Sequence, residues 1–159
     1  MLKPAVISVS VLCAALLPAM AHADVYVVDS LANGATAIFV NTNITEPAPQ
    51  LRRATVIMVS NGPAIKDDIK HTHITYEINC ATNQLRAVGL KAYNTSDTLT
   101  LNDDSVDSAL SPIKAGSIFE TIKNLACSTS QARETDYGKR KLPDDKMVAF
   151  ADYLFSNPE

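Results

Sequence analysis

The sequence predicts an α+β fold: an antiparallel meander sheet of about five to six strands, a helix packed on it near 117–127, a second helix near 143–156 and one disulfide. Three observations carry this. Short β-rich segments follow one another with turn residues and no helix between them, a serine-led amphipathic segment ends in a cysteine, and a further apolar stripe at helical spacing closes the chain.

Residues 1–23 are expected to be removed before the chain folds. Lys3 precedes the apolar run "AVISVSVLCAALLPAM", and Ala21-His22-Ala23 is a small-x-small cleavage tripeptide, the pattern of a signal peptide cut after Ala23. The run is shorter than the ~20 residues that span a bilayer, and no second apolar run is long enough to serve as an integral membrane segment. The mature chain expected is 24–159, 136 residues, and with Lys3 gone it carries 13 basic and 17 acidic residues, net −4. A dispersed acidic balance excludes nucleic acid as a natural partner. Lys139-Arg140-Lys141, next to Asp144 and Asp145, reads as a solvated turn.

The strands expected are 25–29, 36–41, 54–60, 73–80 and 85–93, rich in β-branched and aromatic residues. Asn33-Gly34, Pro47-Ala48-Pro49, Asn61-Gly62-Pro63 and Ala81 to Gln84 separate them. Such short connections make antiparallel pairs, since parallel ones need long crossovers. "ATVIMVS" at 54–60 is apolar throughout, as in a central strand covered on both faces.

The stretch "HTHITYEINC" (71–80) holds the chemistry-bearing residues. Ile74, Tyr76, Ile78 and Cys80 alternate with His73, Thr75, Glu77 and Asn79, which sends Cys80 toward the core and the histidines to the opposite face. His71 and His73 share a face, and H-x-H on a strand is half of a zinc or copper site. With His22 gone in the leader no third histidine exists, and Glu77 alone shares their face, so surface histidines and no metal are expected.

Cys80 and Cys127 are the two cysteines of the mature chain, and in an exported protein they are expected to pair. An apolar-face cysteine with a downstream partner is not the exposed, low-pKa thiolate that a thiol enzyme requires. The sequence has five glycines, and neither a G-x-S-x-G elbow nor a phosphate or dinucleotide loop. "LNDDSVDSAL" lacks the glycine and closing glutamate of an EF-hand and reads as a solvated loop. No catalytic residue and no cofactor is expected.

In "AGSIFETIKNLAC", Ser117 and Glu120 form a capping-box pattern for a helix ending near Cys127, and Ile118, Ile122, Leu125 and Ala126 make its sheet-facing stripe. In the tail, Pro143, Asp144 and Asp145 open a second helix whose stripe is Met147, Phe150, Ala151, Leu154 and Phe155. Packing on its own sheet is expected for that stripe, with a homodimer or partner contact as the alternative.

The order of elements resembles the surface-adhesin protein E family of Gram-negative bacteria over residues 25–127. The resemblance rests on Tyr76-Glu77-Ile78-Asn79-Cys80 closing a strand, and on the segment from Ile113 through Gly116-Ser117 to Cys127. It implies an antiparallel sheet with a packed helix and one disulfide. The chain departs from the family in having no tryptophan before the glycine-serine segment, and in 32 residues (128–159) after Cys127, where many relatives stop. The domains expected are thus the leader at 1–23, an adhesin-E-like unit at 24–127 and an extension at 128–159.

The resemblance implies an exported, non-enzymatic, adhesin-like binding protein of the periplasm or outer-membrane surface, whose partners would be host extracellular-matrix or plasma proteins. A periplasmic structural or envelope-accessory domain, contacting envelope proteins and no host ligand, is the alternative. No residue of the sequence marks a binding face.

Overall fold

A computed structural model describes residues 23–31, 35–62 and 68–157. The signal peptide expected at the N-terminus, the Asn33-Gly34 turn and Pro63 lie outside the described residues, apart from Ala23.

The five expected strands are present as β1 (Asp24–Leu31), β2 (Thr36–Asn41), β4 (Leu51–Ser60), β5 (Ile69–Asn79) and β6 (Gln84–Asn94), with β3 (Thr45–Ala48) between the second and third. After them come β7 (Leu99–Asp103), β8 (Ser111–Pro112), α1 (Ile118–Cys127), α2 (Ser130–Tyr137), β9 (Lys141–Pro143) and α3 (Met147–Ser156). The sheet therefore has nine strands rather than five to six, ordered β7-β6-β5-β4-β2-β1-β9, with β3 on β4 and β8 on β6. Each pairing is antiparallel. The four additional strands are only two to five residues long. All are short and mostly exposed, and β3, β8 and β9 each hold a proline, so they give little signal of their own and exist because a longer neighbour offers them hydrogen bonds.

Alternation along the strands splits the core between the two sheet faces. On one face Tyr26, Ile38, Val40, Val56 and Ile78 pack under Ile122, Leu125 and Ala126 of α1. On the other, Val25, Ala37, Phe39, Ile57 and Val59 pack under Met147 and Ala151 of α3. This is why β2 and β4 read as nearly continuous apolar runs: each is buried on both sides. The tail's stripe does pack on its own sheet.

The disulfide joins Cys80, in the turn just after β5, to Cys127, the last residue of α1, with Cα atoms 5.8 Å apart. It clamps α1 to the sheet end. The helix start differs from the expected capping box. Glu120 Oε2 does accept a bond, from Gly116 N–H at 2.7 Å, but Ser117 Oγ donates to Lys114 O at 2.6 Å instead of accepting from the helix. Gly116, at φ 73°, provides the left-handed turn this geometry needs.

The tail is more structured than one helix. Thr129 Oγ1 caps α2 by accepting from Ala132 N–H at 3.2 Å, and none of the helix is buried. Lys141, read as part of a solvated turn, instead lies in β9, pairs with Tyr26 of β1, and has ion pairs at 3.3 Å to both Asp24 and Glu134. Because 141–143 is a strand and Asp144–Lys146 a single 3-10 turn, the α-helix begins at Met147 rather than at Pro143. Asp144 N–H donates to Ala23 O at 3.0 Å, tying the turn back to the start of β1.

Candidate functional site

On the α3 side of the sheet the strands put His71, His73, Thr75 and Glu77 in one row, as alternation requires. β6 supplies Tyr93 opposite His71 and Lys91 opposite His73, while β4 supplies Val59 and Ile57. α3 packs its apolar residues on the β1–β2–β4 part of this face and reaches β5 through Asp152 and Phe155 at Lys70. Between its first turn and the β6–β7 turn, beside the start of β5, lies a cleft of about 460 Å³, which is lined by both histidines, Tyr93 and Asp97 and also by Asp144 and Asp145.

The histidines are not the surface pair expected from the sequence. His71 is only 4% exposed, because Tyr93 stacks on it, ring centroids 4.7 Å apart and planes within 10°. Tyr93 also touches His73 at 4.8 Å. His71 Nε2 lies 2.9 Å from Asp97 Oδ1, and His71 Nδ1 lies 3.1 Å from His73 Nε2. An ionised carboxylate can only accept, so His71 Nε2–H donates to Asp97. His71 Nδ1 is then the acceptor for His73 Nε2–H when both rings are neutral. Burial first, and the neighbouring His71 second, hold the His73 pKa down to about 4, against opposing pulls from Asp97 and Asp144.

Asp97 reaches its place through backbone conformation. The turn after β6 is closed by the Asn94 carboxamide, which accepts from Ser96 N–H at 3.0 Å and Thr98 N–H at 2.9 Å. Asp97 sits in it at φ 58°, a left-handed geometry that aspartate tolerates better than most residues. Sequence reasoning missed Tyr93, Asp97 and the aspartates of the tail, since "NTSD" and "PDD" announce a turn and a helix start and nothing about which cluster they approach.

Glu77, the carboxylate weighed beside the histidines, turns elsewhere. Its oxygens accept from Arg53 Nη2, and from Arg86 Nε at 2.9 Å and Nη2 at 2.7 Å, while Arg86 also pairs with Asp107 at 2.9 Å. The Glu77 side chain is 7% exposed, and the bonds from Arg53 and then Arg86 hold its pKa below the usual glutamate value. Among the described residues no group of three or more His, Cys, Asp or Glu is placed to hold a metal ion. In the "LNDDSVDSAL" stretch, Asp103 ends β7 and accepts from Ser105 N–H and Oγ, at 2.9 and 2.6 Å.

An antiparallel sheet with a helix fixed to it by a disulfide, and a cleft of imidazole and phenol rings and acidic side chains on its other face, defines a small disulfide-clamped α+β protein with a preformed recess. The surface-adhesin protein E family profile matches residues 26–128, and the chain belongs to that family. The match ends one residue after Cys127, so α2, β9 and α3 lie beyond it. No curated protein and no solved structure matches the chain. Among the described residues no helix is long and apolar enough to cross a membrane.

Proposed function

We propose that the protein is an exported, non-enzymatic binding protein that acts at the bacterial surface as an adhesin, with host extracellular-matrix or plasma proteins as its partner class. The family match over residues 26–128 is the observation that supports this reading. Residues 1–23 are the cleaved export signal, 24–127 the adhesin unit and 128–159 an extension to it. The cleft is a built recess on the described surface, and its groups suit recognition better than turnover: the His73 imidazole is held neutral by burial, and both cysteines are consumed in the disulfide.

Two measurements on one strain test the proposal. Protease shaving of intact cells should release peptides of this chain, and purified mature protein should bind an immobilised host matrix or plasma protein. Protection from shaving until the outer membrane is opened, together with no binding to any such protein, would leave a periplasmic envelope-accessory role in its place.

A further inference from the structure

We propose that the open edge of β7 takes up a short, proline-free, extended segment of the partner protein as one more strand of the sheet; this rests on the binding function proposed above. β7 ends the sheet and pairs with β6 alone. Its residues Leu99 to Asn102 are exposed, and along an edge strand alternate backbone N–H and C=O groups point away from the neighbouring strand. An extended chain is the ligand whose own backbone matches that row of donors and acceptors.

The other strands that finish the sheet are blunted. β3, β8 and β9 hold Pro47, Pro112 and Pro143 within two to four residues each, and a proline has no N–H to offer an incoming strand. β9 in turn closes the flank of β1 over Asp24 to Tyr26. β7, "LTLND", has neither proline nor lysine over its five residues. Apolar surface gathers on the same flank. Leu99, Leu101 and Leu110 are 47%, 45% and 53% exposed, three of the four large apolar side chains that stand exposed among the described residues. Leu110 directly precedes β8, and because β5 occupies one side of β6 along its length, β7 and β8 share the other. Single exposed leucines are ordinary, whereas three along one open edge mark a contact surface.

A second copy of this chain fits the edge poorly. Two β7 strands aligned antiparallel with Leu99 opposite Leu101 set Asp103 opposite Asp97 of the other copy at both ends, and like charges facing across a ladder destabilise it. Moving the two-fold point to Leu101 removes that repulsion but puts Asp103 against Leu99. The length of the added segment is limited as well. Thr100 is the extra residue of a bulge, where the register passes from Leu101 opposite Ala92 to Leu99 opposite Tyr93. A bulge bends and twists its strand, so the edge suits a few residues rather than a long flat strand. Tyr93 also lines the cleft, so the edge begins beside that recess.

The test is titration of isotope-labelled mature protein with acetyl-Ser-Val-Thr-Val-Ser-amide and with its analogue N-methylated on the three central residues, followed by amide chemical shifts and hydrogen exchange. The first peptide should shift and protect amides between Leu99 and Asp103. The analogue, which cannot donate those bonds, should bind roughly tenfold to a hundredfold more weakly. Leu99→Lys with Leu101→Lys puts charge on the edge and should weaken the unmodified peptide similarly, with little change in melting temperature because both side chains are about half exposed. Tyr153→Lys, on the exposed side of α3, should leave peptide binding unchanged. Absence of shifts in β7, equal binding of the two peptides, or a dimer in sedimentation equilibrium that the double substitution dissociates would each overturn the proposal. Host-protein binding that survives the double substitution would remove the edge as its site and leave the adhesin reading standing. Peptide pairing on β7 without any host-protein binding would do the reverse.

Discussion

Tyr26 Oη donates to Glu134 Oε1 at 2.9 Å, a hydrogen bond between residues 108 apart in the chain that fastens α2 to the first strand of the sheet. Tyr137 packs edge-on against the same ring at 6.3 Å, and Lys141 bridges Glu134 to Asp24. Burial, then the bond to Glu134, raise the Tyr26 pKa above the ordinary phenol value. Tyr26→Phe is expected to remove one late-titrating phenol from a spectrophotometric alkaline titration. It should also speed hydrogen exchange in β9, because the tail loses one of its anchors. An unchanged titration and unchanged exchange would show that the bond does not hold the tail.

Phe150 packs edge-to-face on Phe39, with ring centroids 6.5 Å apart, in the core beneath α3. Phe150 is half-buried, so Phe150→Ala should cost about 2–4 kcal/mol, below the top of the range for emptying a sealed aromatic site. Chemical denaturation measures this. A midpoint equal to that of the unaltered protein would mean that α3 contributes no stability to the sheet.

The bond between Cys80 and Cys127 closes a long loop, their sequence separation being 47. Reduction should destabilise the fold by up to about 4 kcal/mol, the chain-entropy figure for a loop of that size. Mass spectrometry of non-reduced peptides from protein isolated without reductant should recover the linked pair. Two thiols alkylated without denaturant would contradict it.

Acid should weaken the fold in two separable steps. His73, with its folded pKa depressed to about 4, binds its proton in the unfolded chain first. Its contribution is complete above the unfolded value near 6.5 and is lost as pH falls toward 4, at roughly 1 kcal/mol per pH unit. Glu77 is depressed by Arg53 and Arg86, so its contribution is present above the ordinary glutamate pKa and lost as pH falls through its lower folded value. His73→Asn should therefore flatten the stability profile between pH 6.5 and 4. Glu77→Gln should lower stability at neutral pH by about 1–3 kcal/mol through the lost arginine bonds, and flatten the profile below pH 4.5. Identical pH profiles for these proteins and the unaltered chain would refute both assignments.

The five long strands, α1, the disulfide pair and the apolar stripe of α3 were legible because each is written in local pattern. Two-residue alternation makes β5 put Ile78 in one core and His71 and His73 on the other face, and Ile122, Leu125 and Ala126 recur at helical spacing beneath α1. The short strands β3, β8 and β9 could not be read that way, since Pro47, Pro112 and Pro143 argue against a strand locally and only an adjacent strand edge makes them one. α2 left no trace for the same reason: "SQARETDY" has no apolar stripe, and Tyr26 and the carbonyl acceptors of Arg133 at Ala126 and Ser128 decide where it lies.

The cleft divides along this line. The sequence by itself determined that His71 and His73 share a face, because a strand's side chains alternate whatever surrounds it. Only the tertiary structure decided that His71 is buried: the β5–β6 register sets Tyr93 opposite it, and the Asn94–Thr98 turn brings Asp97 to its far nitrogen. Asp144 and Asp145 arrive from the tail, more than 70 residues on, because Pro143 ends a strand docked on β1. Burial, hydrogen-bond partners and the resulting pKa depend on what the chain brings near from far along its length, and local periodicity holds no information about that distance.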